Sequence, residues 1–286
     1  MVMSSALAAA EVSPVGAATP CPVSPYRSAV PVVIAHASSS HFGPPNTISM
    51  MRAAVRAGAD VIDVDLRVTH DGELVASHDD DVFGLTGVHL SIAGNSLAAL
   101  RRLDAGWSWP GPKRTHPLRG RGVRIPTAAE ILTAFPGRRI SFEFKTTGGE
   151  RSLCRLLRAT KRTDDAYVGS AGDAAVDRFK PLCPEVTTTV TDAMVVEFRA
   201  AQANGSSWCA PVPIGQPPFY RDNEGVLSAD SVRWSHDHGL AIYTWTIDDP
   251  ADLATVARLG VDGVYTGRPD LARAAFGPTR PVSRGR

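Results

Sequence analysis

The 286-residue sequence predicts an α/β protein, a closed (β/α)8 TIM barrel with a hairpin and a long loop insertion over the C-terminal face of its strands. Short β-branched runs alternate with longer helix-like segments from about residue 31 onward. Eight strand candidates fall in roughly 240 residues, the size such a barrel needs. A strand, a helix and a second strand in succession pair in parallel, and repetition of that unit closes the sheet. An open doubly wound sheet is the alternative.

The predicted strands are residues 31–35, 61–65, 140–145, 166–170, 187–190, 207–212, 241–246 and 262–266. Helices are predicted over 47–57, entered by Asn46, and over 127–135, 150–161, 174–182, 193–203, 228–238 and 250–259. Gly58 and Gly260 read as helix ends and Gly263 as a strand entry. Two segments break the rhythm: residues 67–78 directly after the second strand, and residues 80–125, a loop-rich excursion with one short helix near 97–103. Insertions after a barrel strand fall on the functional face, so the excursion is expected to cover the site, with Trp107 and Trp109 beside Pro110 either capping the mouth or packing under the long loop.

With 43% hydrophobic and 21% charged residues the chain has an ordinary globular composition. Its net charge of +1 offers no broad cationic face, which sets nucleic acid aside. No apolar run reaches the length of about 18 residues that a spanning helix requires, so no stable membrane insertion is expected. Cys21, Cys154, Cys183 and Cys209 include no CxxC pair; they read as buried thiols, with Cys154 and Cys183 on consecutive helices able to pair in an exported protein. Residues 1–30 read as a disordered leader or the remnant of an export signal, residues 31–277 as the barrel, and residues 278–286 as a disordered tail. Location is thus the cell envelope or outside if the leader is a signal, and otherwise the cytoplasm.

The chemistry lies at the strand ends. In Val61-Ile62-Asp63-Val64-Asp65, Asp63 and Asp65 share one face of their strand. Asp71-Gly72 signals a hairpin; a two-residue loop there sets His70 against Glu73 and Asp65 opposite His78. Glu143 and Lys145 alternate on the third strand, and His36 ends the first. If these segments are parallel neighbours, His36, Asp63, Asp65, His78, Glu143 and Lys145 converge on one mouth. Three carboxylates suit a hard divalent cation, Ca²⁺ or Mg²⁺, and two histidines suit proton transfer near neutral pH. Lys145 is left for an anionic substrate.

In order along about 235 residues, the chain carries His36-Ala37-Ser38, Pro44-Pro45-Asn46-Thr47, Gly58-Ala59-Asp60-Val61-Ile62-Asp63-Val64-Asp65, Thr69-His70-Asp71-Gly72 with His78-Asp79, Ile125-Pro126-Thr127, Glu143-Phe144-Lys145, Trp245-Thr246-Ile247-Asp248-Asp249-Pro250 and Gly260-Val261-Asp262-Gly263-Val264-Tyr265-Thr266-Gly267. This series resembles the glycerophosphodiester phosphodiesterase family, whose fold is a (β/α)8 barrel. The resemblance implies a divalent metal ion on Asp63, Asp65 and Glu143, His36 and His78 as the acid–base pair, Lys145 on the phosphate and Trp245 as an apolar wall. It implies a small-molecule phosphodiester as substrate, split to glycerol phosphate and an alcohol. Three departures stand out: Ala37 replaces the family's arginine, Asp63 shortens its first metal-binding glutamate, and Thr266-Gly267 replaces its Thr-Asp. Loss of the arginine removes a bidentate anion ligand, which points to weakened activity, to another phosphodiester or lysophospholipid, or to a barrel that binds a phosphorylated ligand without turnover.

Overall fold

The computed structural model describes residues 20–221 and 224–278. Its elements are β1 (Val32–Ala35), α1 (Ile48–Arg56), β2 (Val61–Val68), β3 (Leu74–Ala76), α2 (Phe83–Thr86), α3 (Leu97–Leu100), α4 (Ala128–Ala134), β4 (Ile140–Phe144), α5 (Glu150–Ala159), β5 (Ala166–Ser170), α6 (Asp173–Leu182), β6 (Thr187–Thr188), α7 (Asp192–Asn204), β7 (Ile214–Gly215), β8 (Tyr220–Arg221), β9 (Glu224–Gly225), α8 (Ala229–Asp237), β10 (Ala241–Thr244), α9 (Pro250–Leu259), β11 (Gly263–Thr266) and α10 (Pro269–Phe276). Eight of the strands run parallel in the order β6-β5-β4-β2-β1-β11-β10-β7. A parallel bridge between Thr189 and Ile214 brings the two ends together, so the barrel is nearly closed.

Alternation along each strand sorts the side chains. Val32, Ile34, Val61, Tyr167, Ile214, Ala241, Tyr243 and Tyr265 fill the barrel interior, and their outward neighbours pack under the helices. Sequence caps set several helix starts. Thr47 accepts from the Met50 N–H at α1, Thr127 and Glu130 form a reciprocal box at α4, and Asp249 precedes Pro250 at α9. Thr47 rather than Asn46 therefore caps α1, which frees the Asn46 side chain for the site.

Three expectations are corrected. The sixth predicted strand, over 207–212, lies at Ile214–Gly215 instead. Pro211 and Pro213 have no N–H to give to a ladder, so pairing with β10 begins beyond them. The hairpin turns through three residues, His70, Asp71 and Gly72: Thr69 bonds Glu73, and Gly72 takes a φ of +83°. Ser77 consequently donates to the Asp65 carbonyl at 3.0 Å and stands opposite Asp65 in the place expected for His78. A shift of one residue moves every side chain to the other face.

The third correction concerns the ends of the chain. Residues 1–19 of the expected leader and 279–286 of the expected tail lie outside the described residues. Residues 20–30, assigned to the leader, pack across the bottom of the barrel: the Tyr26 hydroxyl donates to Thr187 at 2.9 Å, Ser24 to the Pro213 carbonyl at 2.7 Å, and Arg27 to buried Asp262 at 3.0 Å. Cys154 on α5 is joined to Cys183 at the end of α6, the pairing the sequence allows, whereas Cys21 and Cys209, read as thiols, form a second disulfide. The Cys21–Cys209 bridge closes a separation of 188 residues and the Cys154–Cys183 bridge one of 29. Loop closure predicts roughly 5 and 3–4 kcal/mol of stabilisation respectively. Alkylating unreduced, denatured protein should label no cysteine, and reduction should lower the thermal midpoint steeply. Four labelled thiols, or a midpoint indifferent to reductant, would refute the pairing.

Candidate active site

The strand ends bring His36, Asp65, Glu143 and Lys145 to one mouth at the C-terminal face. Asp65 and Glu143 are register partners on β2 and β4, and the Lys145 N–H continues that ladder to the Leu66 carbonyl at 3.0 Å. The Lys145 ammonium lies between the two carboxylates, 3.1 Å from Asp65 and 2.7 Å from Glu143. Burial alone would lower its pKa; the two carboxylates outweigh burial and raise it. Lys145 is therefore a fixed cation at this mouth.

Asp65 is 1% exposed and held from three further sides. Ser38 donates to it at 3.0 Å and the Asn46 amide at 2.7 Å, while the Asn46 carbonyl oxygen accepts the Asp65 N–H at 3.1 Å. Asn46 takes a φ of +56°, a conformation asparagine tolerates. Sequence reasoning missed this clamp, although Asn46 lies within the Pro-Pro-Asn-Thr segment already singled out.

Asp63 sits deeper, 2% exposed, and accepts the Ala37 N–H at 3.2 Å. Burial, and then the like charges of Asp65 and Glu143, hold its pKa well above the usual carboxylate range; bonds from Ala37 and Ser141 oppose this only in part. Beneath it Ser141, Tyr265 and Tyr167 form a buried hydroxyl chain at 3.1 Å per step, and Gln216 donates to Tyr265. Among the described residues, Asp63, Asp65 and Glu143 do not each bring an oxygen within 4.8 Å of the other two. Cys154, Cys183 and Glu185 do cluster that closely, but both sulfurs are committed to a disulfide.

His36 follows β1, half-buried, with its N–H on the Thr266 carbonyl at 3.0 Å. Burial lowers its pKa from the ordinary 6.5, more than Asp65, Glu143 and Asp248 raise it. His78 lies at the rim, its side chain 54% exposed and its Nδ1 2.8 Å from Asp79. Trp245 follows β10, 46% exposed, with its indole N–H on the Gln216 carbonyl at 2.7 Å. Trp109 ties the excursion to the β1 loop through the Ser40 carbonyl at 2.7 Å, and borders an open groove of about 520 Å³ that also touches Phe42 and Arg268. None of the mouth residues lines that groove.

Two departures from the family pattern acquire a physical setting. A Cβ at Gly267 would meet the Ser39 hydroxyl at 2.6 Å and Asp248 Oδ2 at 3.1 Å. Asp248 instead fills that corner, accepting from Thr266 at 3.0 Å and from the Gly267 N–H at 2.6 Å. Ala37 is 0% exposed, with its carbonyl accepting the Asn46 N–H at 2.9 Å.

Comparison with known proteins addresses the family and the fold. Residues 36–271 match the glycerophosphoryl diester phosphodiesterase family model. The chain is 27% identical over 265 residues to a glycerophosphodiester phosphodiesterase of Bacillus subtilis, covering 84% of each chain. It is 25% identical over 248 residues to one from Caldanaerobacter subterraneus, covering 84% of this chain and 95% of the relative. Among solved structures, the glycerophosphoryl diester phosphodiesterase domain of an uncharacterised Mycobacterium tuberculosis protein superposes with a TM-score of 0.76 at 20% identity, over 86% of this chain and 98% of that one. A phosphodiesterase of Oleispira antarctica, in complex with the product sn-glycerol-3-phosphate, superposes with a TM-score of 0.68 at 21% identity, over 86% and 96%. With an ordered match from the first strand end to the last helix, the chain belongs to the glycerophosphoryl diester phosphodiesterase family.

Proposed function

We propose that the protein is a metal-dependent phosphodiesterase that splits glycerophosphodiesters into glycerol phosphate and an alcohol. The observation that carries this reading is the meeting of His36, Asp65, Glu143 and Lys145 at one barrel mouth in a chain of this family. The product complex of the Oleispira relative supports the substrate class. Asp65 and Glu143 outnumber the one ammonium between them, and with the deeper Asp63 they offer hard oxygen donors, which fits Ca²⁺ or Mg²⁺. Asp65 and Glu143 would hold the ion, with Asp63 as the deeper third ligand. Bound there, it would offset charge developing on the phosphoryl oxygens.

The remaining chemistry belongs to the chain. His36, kept neutral by burial, takes the proton from the glycerol 2-hydroxyl as that oxygen attacks phosphorus. The bond from phosphorus to the departing alcohol breaks, and His78 returns a proton to that oxygen. Water then opens the cyclic phosphate. Lys145 faces the phosphate, and Trp245 walls the organic group. The two disulfides favour an oxidising compartment, in keeping with export.

Assay on a panel of glycerophosphodiesters, with and without chelator, tests this reading. Turnover should vanish with chelator and return with Ca²⁺ or Mg²⁺. Because burial depresses the His36 pKa, His36 stays unprotonated below the ordinary 6.5, and the acid limb of kcat/KM should fall below that pH. Full turnover in chelator would remove the metal from the mechanism; phosphate binding without turnover on any substrate would overturn the enzymatic reading.

A further inference from the structure

The charge of the chain is unevenly placed. Residues 80–125 hold seven cations and three acids, a net charge of +4 in a chain whose total is +1. The three acids are each engaged in hydrogen bonds within the excursion, Asp81 while half exposed. Asp80 accepts from Ser91 and Ala93, Asp81 from the Phe83 N–H, with His89 also bonded to it, and Asp104 from Gly106 and Gly120. Lys113, Arg114, Arg119, Arg121 and Arg124 are all exposed, with no acid between them.

The same excursion leaves apolar surface uncovered. It has a core of its own, in which Val82, Ile92, Leu100, Ala105 and Ile125 are buried. Phe83, Val88 and Trp107 stay outside it, 47%, 46% and 45% exposed. They are neighbours: a Cβ on Gly87 would come within 2.7 Å of the Trp107 indole, and Gly87 both precedes Val88 and bonds the Phe83 carbonyl at 2.8 Å. The Arg119 guanidinium lies 4.2 Å over the Trp107 ring. Exposed cations and an aromatic patch on one excursion, joined at Arg119 and Trp107, are the pairing that holds a protein at a charged membrane surface: cations meet anionic headgroups, while Trp and Phe settle at the edge of the hydrocarbon.

We propose that the excursion over residues 80–125 docks the protein on an anionic lipid surface through Phe83, Val88 and Trp107 and the cations from Lys113 to Arg124. The docking is peripheral: among the described residues no helix is long and apolar enough to cross a bilayer. A single-stranded nucleic acid would use the cations, but it offers no apolar boundary to receive Val88 and Phe83 together, so the lipid surface is the better fit.

Cosedimentation of the full chain with lipid vesicles tests this without relying on turnover, so it stands or falls separately from the catalytic reading. Vesicles of phosphatidylcholine with about one third phosphatidylglycerol should bind at least 10-fold more tightly than phosphatidylcholine alone, with an affinity that falls as salt rises. The combined variant Lys113→Glu, Arg114→Glu, Arg121→Glu should lose at least 10-fold of that binding, with an unchanged thermal midpoint and unchanged turnover of a soluble glycerophosphodiester. Phe83→Ser with Val88→Ser should weaken binding several-fold and leave the remainder more salt-sensitive. Equal binding to both vesicle types, no binding to either, or charge-reversed protein that binds as well as wild type would each overturn the proposal. So would salt-sensitive binding to a single-stranded oligonucleotide in the absence of vesicle binding.

Discussion

Asp65→Ala is expected to abolish turnover and to lower the thermal midpoint as well, the largest combined effect of any single change at the mouth. Asp65 is 1% exposed and accepts from Lys145, Ser38 and Asn46 at 3.1, 3.0 and 2.7 Å. Its removal leaves a buried amide donor without an acceptor and the Lys145 ammonium with Glu143 alone. Each orphaned group costs about 1–3 kcal/mol, and the ammonium more. Loss of electrostatic positioning at the phosphate should add a factor of at least about 10³ in kcat. Asp65→Asn separates the two effects: its amide oxygen fills the same space and can still accept from Asn46 and Ser38, while its NH2 would face the Lys145 ammonium, so stability should return only in part while turnover and metal affinity stay lost. Thermal melts, calorimetric metal titration and kinetics on both variants measure this. If Asp65→Asn kept wild-type turnover, the carboxylate would have no part in the chemistry.

The legible parts of this site are those that follow from strand periodicity. Asp63, Asp65, Glu143 and Lys145 could be placed on one face because β2 and β4 are ordinary strands whose side chains alternate, and the structure puts Asp65 directly beside Glu143. His78 depended on loop length, which a single Asp-Gly pair does not determine. Gly72 adopts the left-handed conformation as the last of three loop residues, so Ser77 takes the position opposite Asp65. Asn46 was hidden for another reason. Beside Thr47 it reads as a helix cap, and only tertiary packing shows that Thr47 caps α1 while Asn46 reaches β2. The covering of the barrel floor by residues 20–30 was out of reach too, because Cys21 and Cys209 are 188 residues apart and their pairing has no local signature.

Ala37→Arg looks from sequence like a repair, since it supplies the guanidinium that the resemblance to the family expects at this position. The structure predicts the opposite: a lower thermal midpoint and no gain in turnover. Ala37 is 0% exposed, and its backbone is held on both sides, the N–H by Asp63 at 3.2 Å and the carbonyl by Asn46 at 2.9 Å. A side chain that much larger must displace whatever closes over the methyl group, which costs about 1–3 kcal/mol from overpacking before the charge is counted. A buried cation there would need a carboxylate partner. Asp63 is at hand, but pairing with it would draw it further from Asp65 and Glu143, the groups it would join around a metal. For a domain of this size each kcal/mol lowers the midpoint by about 2–4 °C, so a shift of several degrees is expected. Metal affinity should weaken alongside it if Asp63 is captured. A rise in kcat/KM with the midpoint unchanged would show that the segment from Ala37 to Asn46 opens to admit the guanidinium, and that the phosphate of this enzyme still depends on an arginine at that position.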